Sequence, residues 1–141
     1  MSREDIQRKY IELKILEQQT NQVQQQLAML DNQLSILERT KESIDEINSV
    51  KPGSQTFIPL GQGVFVKGEI KDTKNLLVGV GANIAVSKSV KESKVIVDKQ
   101  IVEVSNLMKQ MEDQLQQATM HASILEREIQ ELASKEENNL S

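Results

Sequence analysis

Hydrophobic residues recur alternately three and four positions apart along both ends of the chain. In the first segment nine of the twelve positions in this repeat are Leu, Ile or Val, and in the second segment all eleven are apolar. We call these positions the seam; they are Ile6, Lys9, Leu13, Leu16, Thr20, Val23, Leu27, Leu30, Leu34, Leu37, Lys41 and Ile44, then Val97, Ile101, Val104, Met108, Met111, Leu115, Ala118, Ala122, Leu125, Ile129 and Leu132. A 3.5-residue repeat sustained over five or more heptads is typical of a coiled coil, so the pattern predicts two long coiled-coil helices.

Glycine and proline are confined to the middle of the chain. Both prolines and all six glycines lie between residues 52 and 81, whereas residues 3–50 and 87–137 contain neither. Because these two residue types interrupt helices, the flanks are predicted to be helical. We therefore divide the chain into an N-terminal coiled-coil helix (1–50), a middle segment (51–86) and a C-terminal coiled-coil helix (87–141).

The middle segment consists of short apolar runs separated by turn residues. The runs cover residues 56–60, 64–66, 76–80 and 84–86, with Gly61-Gln62-Gly63 and Gly81-Ala82-Asn83 as the turn sequences. This arrangement predicts two β-hairpins. Pro59 has no N–H for a strand ladder, so its strand is expected to lie at a sheet edge or to break there.

A single offset aligns the two seams in opposite directions. Under it Leu37 meets Ile101 and Ile6 meets Leu132, so that nearly the full length of both seams is paired. Other offsets seven residues apart, and a parallel pairing between two chains, remain alternatives. The simplest interpretation is a mainly α protein, in which a long antiparallel two-helix coiled coil is joined by two β-hairpins.

The same alignment places polar residues inside the seam. Lys9 would face Ile129 and Lys41 would face Val97, so each lysine is expected to extend its ammonium group towards water. Thr20 would face Ala118, which makes the coiled coil thin at that layer.

Composition narrows the class of protein. The chain has 141 residues, no cysteine, 2% aromatic residues and a net charge of −4. A disulfide framework is excluded, and the acidic balance argues against nucleic-acid binding. The sequence shows no apolar run of a signal peptide and no stretch of about 20 apolar residues that would span a bilayer, so a cytoplasmic location is expected.

No group of residues predicts catalysis, a metal site or a cofactor. His121 is the only histidine and lies beside the seam, where a surface role is expected. Gly63 and Gly68 have the spacing of a phosphate-binding loop, but Glu69 stands where that motif requires lysine. An enzymatic function is therefore not expected.

The hairpins cannot be stable alone, because isolated two-stranded hairpins are marginal in water. We predict that the middle segments of several chains combine into an oligomerisation platform. The residues expected to form it are Phe57, Ile58, Leu60, Val64, Phe65, Val66, Leu77, Val78, Val80, Ile84 and Val86.

An antiparallel coiled coil brings both chain ends to its free tip. Apolar side chains there are expected to bind other proteins weakly and with little sequence preference. The residues assigned to this tip are Ile6, Tyr10, Leu13, Leu125, Ile129 and Leu132.

The layout and the middle segment resemble the α-type subunits of the prefoldin family. The likeness is carried in detail by Ile58-Pro59-Leu60, by the run 64–70 (VFVKGEI) and by the run 77–86 (LVGVGANIAV), and in layout by the whole chain. Two positions depart from the family pattern: Lys67 replaces a frequent proline and Asn83 a common glycine. The presence of a second hairpin favours the α-type over the β-type.

The resemblance implies an ATP-independent chaperone. Two α-type and four β-type subunits of that family form a hexamer with a β-barrel platform, and the tips of its arms hold non-native proteins and pass them to a group II chaperonin. The alternative from the residues alone is a structural coiled-coil spacer or tether, with the β segment as its oligomerisation hub.

Overall fold

A computed structural model describes residues 3–140 of the protein. Helix α1 spans Arg3–Ile47 and helix α2 spans Val90–Leu140. Between them lie strands β1 (Ser54–Gly61), β2 (Val64–Ile70), β3 (Asn75–Gly81) and β4 (Ile84–Ser89). The order of elements confirms the predicted fold of two long helices joined by two hairpins.

The described residues divide into two compact units. The helical unit contains residues 3–33 of α1 and 104–140 of α2, and the β-containing unit contains residues 34–103.

In the helical unit the two helices pair antiparallel through the predicted seam. Every seam position is buried or half-buried, and Leu13, Leu125 and Leu132 are the most enclosed leucines. One surface groove is lined by Val23 together with Leu115, which are partners in the predicted alignment. Apolar burial along this stripe supplies the main stabilising free energy of the pair.

The β-containing unit carries the inner ends of both helices and the two hairpins. Ile44 and Val97 form its buried apolar seam. Asp45 of α1 forms an ion pair with Lys94 of α2, so the helices are also antiparallel neighbours here.

The second helix begins three residues later than the sequence suggested. β4 extends to Ser89, whose hydroxyl oxygen accepts a hydrogen bond from the backbone N–H of Glu92 at 3.1 Å. A serine followed three residues later by glutamate is the capping-box arrangement, which fixes the helix start at Val90.

Each hairpin is a two-stranded antiparallel sheet. In the first, Phe57 lies opposite Lys67 and Pro59 opposite Phe65, and the register shifts between Pro59 and Gly61. Among the described residues β1 pairs only with β2, so Pro59 lies on an edge strand as predicted.

The turn of the second hairpin has a strained residue. Ala82 and Asn83 have φ values of 52° and 58°, and positive φ at both central residues is the requirement of a type I′ turn. Asparagine tolerates this conformation, but alanine in the left-handed region costs roughly 1–2 kcal/mol.

We expect Ala82→Gly to stabilise the protein by up to about 1 kcal/mol, because glycine relieves the strain and only part of the gain is lost to the freer unfolded chain. The measurement is the urea midpoint of the full-length protein. Ala85→Gly in β4 is the control, and it should lower stability by about 0.5–1 kcal/mol. Equal destabilisation by both changes would contradict the strain at Ala82.

Candidate assembly and client-binding surfaces

The first hairpin exposes apolar side chains on both of its faces. Phe57, Pro59 and Phe65 share one face, because directly paired and alternate residues point to the same side. Ile58 and Val66 lie on the opposite face. The two phenylalanines are 63% and 58% exposed, although large aromatic residues dominate most protein cores.

One close approach shapes the second face of this hairpin. A Cβ atom on Gly68 would lie 2.6 Å from Cδ1 of Ile58, so the isoleucine occupies the space that the glycine leaves free. On the other face, Nζ of Lys67 lies 6.0 Å from the centre of the Phe57 ring. The lysine that departs from the family pattern therefore covers part of an otherwise bare aromatic ring.

The second hairpin is partly covered on one face. Leu77 is 76% exposed, whereas Leu76 and Val78 are half-buried. The face of Leu76 and Val78 also carries Lys88. Lys88 lines an apolar groove together with Val95 and Ile96 of α2. Ile96 is half-buried, whereas Val95 is 62% exposed.

Ten of the eleven residues predicted for oligomerisation are exposed, and Val78 is half-buried. We call these eleven residues the hairpin surface. Soluble domains rarely expose so many large apolar side chains together, and such patches mark interaction sites.

The predicted tip residues differ in exposure. Leu13, Leu125 and Leu132 are buried in the seam, and Leu125 is only 3% exposed. Seam packing encloses these three side chains, and client binding by the six tip residues stays a prediction. Ile6 and Ile129 are half-buried.

The open apolar side chains at this end are Tyr10 and Ile11, which are 51% and 60% exposed. Nζ of Lys14 lies 5.4 Å from the centre of the Tyr10 ring. Tyr10 and Ile11 follow the seam position Lys9 by one and two residues. The 3.5-residue pattern therefore did not identify Ile11 as a tip residue. We call Tyr10 and Ile11 the tip pair.

The two seam lysines end on carboxylates of the facing helix. Nζ of Lys41 lies 2.7 Å from Oδ1 of Asp98, and Lys9 donates to Glu128. These hydrogen bonds raise the pKa of both lysines above its ordinary value. The lysines leave the apolar layer as expected, with a specific acceptor at the end of each side chain.

His121 lies at the surface of the helical unit, with Nε2 3.4 Å from Oε1 of Glu12. Within residues 3–140 no group of three or more metal-binding side chains comes together. In the same part of the chain, neither helix is long and apolar enough to cross a membrane.

The family model for the prefoldin subunit matches residues 16–135. The chain belongs to the prefoldin family. Membership makes this prefoldin chain a molecular chaperone, and the spacer alternative is not favoured.

Curated relatives place the chain with the α-type. It is 26% identical over 130 residues to the prefoldin subunit alpha of Methanobrevibacter smithii, covering 92% of this chain and 88% of the relative. It is 26% identical over 135 residues to that of Archaeoglobus fulgidus, covering 96% and 98%. The sequence-based resemblance to α-type prefoldin is thereby confirmed.

A solved structure shares the fold. A chain of the filamentous PFD from Methanocaldococcus jannaschii, determined by cryo-EM, superimposes with a TM-score of 0.72 at 16% identity. The match covers 82% of this prefoldin chain and 95% of that chain.

The loop between the hairpins is organised by Asp72. Its Oδ1 accepts hydrogen bonds from the backbone N–H groups of Lys74 at 2.8 Å and Asn75 at 3.1 Å. These bonds, with one from the Asn75 side chain, hold the pKa of the Asp72 carboxyl below its ordinary value.

Through the Asp72 carboxylate, this loop makes the stability of the prefoldin chain depend on pH. Because the folded pKa of Asp72 is depressed, its stabilising contribution is present above the ordinary pKa and is lost as the pH falls through the folded value. We expect Asp72→Ala to lower the thermal midpoint at pH 7 and to lower it by less at about pH 3, because a pH below the ordinary pKa removes part of the contribution of the charged carboxylate. A destabilisation of equal size at both pH values would contradict a role for the charged carboxylate.

Proposed function

We propose that the chain is the α-type subunit of an ATP-independent holding chaperone, and that its hairpin surface joins it to β-type subunits. The exposed hairpin surface carries this proposal, since ten large apolar side chains need a protein partner in water. We propose the family stoichiometry of two α-type and four β-type subunits. Strand edges left open by each hairpin supply the backbone hydrogen bonds for such joining.

Client proteins are proposed to bind at the end of the helical unit. The tip pair supplies exposed apolar area without a competing intramolecular partner in the seam. Half-buried Ile6 and Ile129 add contact area, whereas Leu13, Leu125 and Leu132 become available only where the helices separate. Each such contact is weak, and several subunits acting together increase the affinity through multivalency.

In this proposal the complex works in the cytoplasm and passes its clients to a group II chaperonin. Neither holding nor transfer involves a catalytic step or a cofactor. A non-native protein is released when a partner of higher affinity competes for its apolar segments.

The experiment measures aggregation of two unrelated clients, heat-denatured citrate synthase and reduced insulin, in the presence of the complex co-expressed with a β-type subunit. No nucleotide is added. We expect protection of both clients by the wild-type complex, and a several-fold higher concentration requirement for Tyr10→Ser/Ile11→Ser.

The matched control is Gln24→Ser/Gln25→Ser, which changes exposed residues at the same heptad positions two heptads further along α1. It should leave protection unchanged. A complex that protects neither client would contradict the chaperone proposal, and full protection by the tip-pair variant would remove the tip pair from it.

A further inference from the structure

The two sides of the helical unit differ in charge. On one side, between the levels of Ile15 and Met29, the outward positions of both helices carry no Asp, Glu, Lys or Arg. We call this side the neutral face; it consists of Ile15, Gln19, Gln22, Gln26, Met29, Leu107, Gln110, Gln114, Gln117, His121 and Ile124. The contact of His121 with Glu12 of the facing helix, and a groove shared by residues of both helices, place these positions on one side.

A groove of about 270 Å³ runs between the helices on the neutral face. Gln19, Gln22 and Gln26 line it from α1, and Gln114 lines it from α2. Val23, Leu115 and Ala118 provide its apolar lining. The groove exists because the layer of Thr20 and Ala118 contains two small side chains, which leave the space between the helices unfilled.

Exposed apolar residues flank this groove at both ends. Ile15 and Ile124 lie at the level of one end, and Met29 and Leu107 lie at the level of the other; their side chains are all exposed, Met29 by 73%. Each end thus has one apolar side chain from each helix. The rise of an α-helix puts Ile15 and Met29 about 21 Å apart along α1.

The opposite side of the same layer has a groove of similar size but different chemistry. It is lined by Glu17, Asn21 and Gln24 among others. Glu112 and Lys109 of α2 belong to the outward positions of that side. A bound segment there would meet fixed charges and have no apolar pair at either end.

We propose that the neutral face binds an extended, uncharged segment of a non-native polypeptide, with apolar side chains about six residues apart. The spacing follows because an extended chain rises about 3.3 Å per residue, so six residues cover the distance between the two apolar ends. An even separation also directs both apolar side chains to the same side of the segment.

Glutamine suits the backbone of such a segment. Each amide carries two donors and one acceptor with two lone pairs, and an extended backbone presents unpaired N–H and C=O groups. Recognition through the backbone is independent of sequence, and the absence of charged residues avoids repelling clients of either sign. This inference rests on the proposed chaperone function and adds a second client-binding surface, distinct from the tip pair.

The test uses the full-length complex and fluorescein-labelled peptides of Ser and Thr that contain two leucines. In one peptide the leucines stand six positions apart, and in two others of equal length they stand three or twelve positions apart. We expect fluorescence anisotropy to show the tightest binding for the first peptide, and Gln22→Glu/Gln114→Glu to weaken it about fivefold or more, the loss expected for one or two hydrogen bonds.

The matched control is Gln24→Glu/Gln116→Glu, which adds the same charge on the opposite side of the same helices. Less than twofold loss in this control supports the neutral face. Equal loss in both variants, or equal binding of all three peptides, overturns it.

Client protection distinguishes the neutral-face proposal from the general chaperone proposal. Protection by wild type that is unchanged in Gln22→Glu/Gln114→Glu overturns the neutral face and leaves the chaperone proposal standing. A wild-type complex that protects no client overturns both.

Discussion

Phe65→Glu is expected to abolish assembly with β-type subunits. The phenylalanine is 58% exposed in the single chain and shares its face with Phe57 and Pro59, and in the proposed assembly another chain covers this face. Glutamate at this position would place a charge in a desolvated interface, where an unpaired charge costs several kcal/mol. The mass of the co-expressed complex, measured by analytical ultracentrifugation, should fall to that of separate subunits.

The control for this change lies on the same hairpin. Gln55→Lys adds a charge at an exposed position near the start of β1, on the face of Phe57 but away from the aromatic cluster, and its cross-strand partner Glu69 is of opposite charge. It should leave the mass of the complex unchanged. An intact complex containing Phe65→Glu would show that the first hairpin is not the joining surface.

Circular dichroism should confirm that Phe65→Glu keeps its helices. The residue contributes to no core within the single chain, and so the helical content of the isolated subunit is expected to match that of wild type. Loss of helix would mean that the hairpin also stabilises its own chain.

Leu125→Ala is expected to have the largest effect on the stability of the single chain, about 2–5 kcal/mol. Leu125 is 3% exposed and fills the seam of the helical unit, so truncation removes buried apolar area and leaves a cavity. The measurement is the urea midpoint at a fixed protein concentration, because assembly also contributes to apparent stability.

The neighbouring residue supplies the control. Ile124 is 52% exposed, and Ile124→Ala should change stability by less than about 0.5 kcal/mol. Similar losses for the two variants would contradict the assignment of Leu125 to the seam. A small loss of stability in Leu125→Ala would instead indicate that Leu125 is an open tip residue.

These two residues show where sequence reasoning reaches its limit at the tip. The 3.5-residue repeat assigned Leu125 to the seam, and the same residue was also expected to be available to clients near the chain end. The Leu125 side chain cannot both pack in the seam and stay open to clients, and the pairing of the helices decides which of the two it does. Helix pairing encloses Leu125 and leaves Tyr10 and Ile11 open, because the seam continues in register to the level of Leu132.

The lysines illustrate the same limit in electrostatics. The heptad pattern places Lys9 and Lys41 at apolar levels and predicts that their ammonium groups leave the seam. It does not select Glu128 and Asp98 as acceptors, since α2 carries other carboxylates near these levels in the sequence, among them Glu126 and Glu131. The positions of the facing backbones determine which one is bonded.

By itself the sequence determined the two helices, the seam, the two hairpins and the edge position of Pro59. Each of these features follows from local periodicity or from the missing N–H of proline, and none of them depends on residues distant in the sequence. Tertiary structure alone decided which apolar side chains stay open, which carboxylates the lysines bond, and that a groove on one side of Thr20 has no charged lining. These features depend on what the facing helix presents at each level, and the residues that set it are far apart in the sequence, by 119 positions for Lys9 and Glu128.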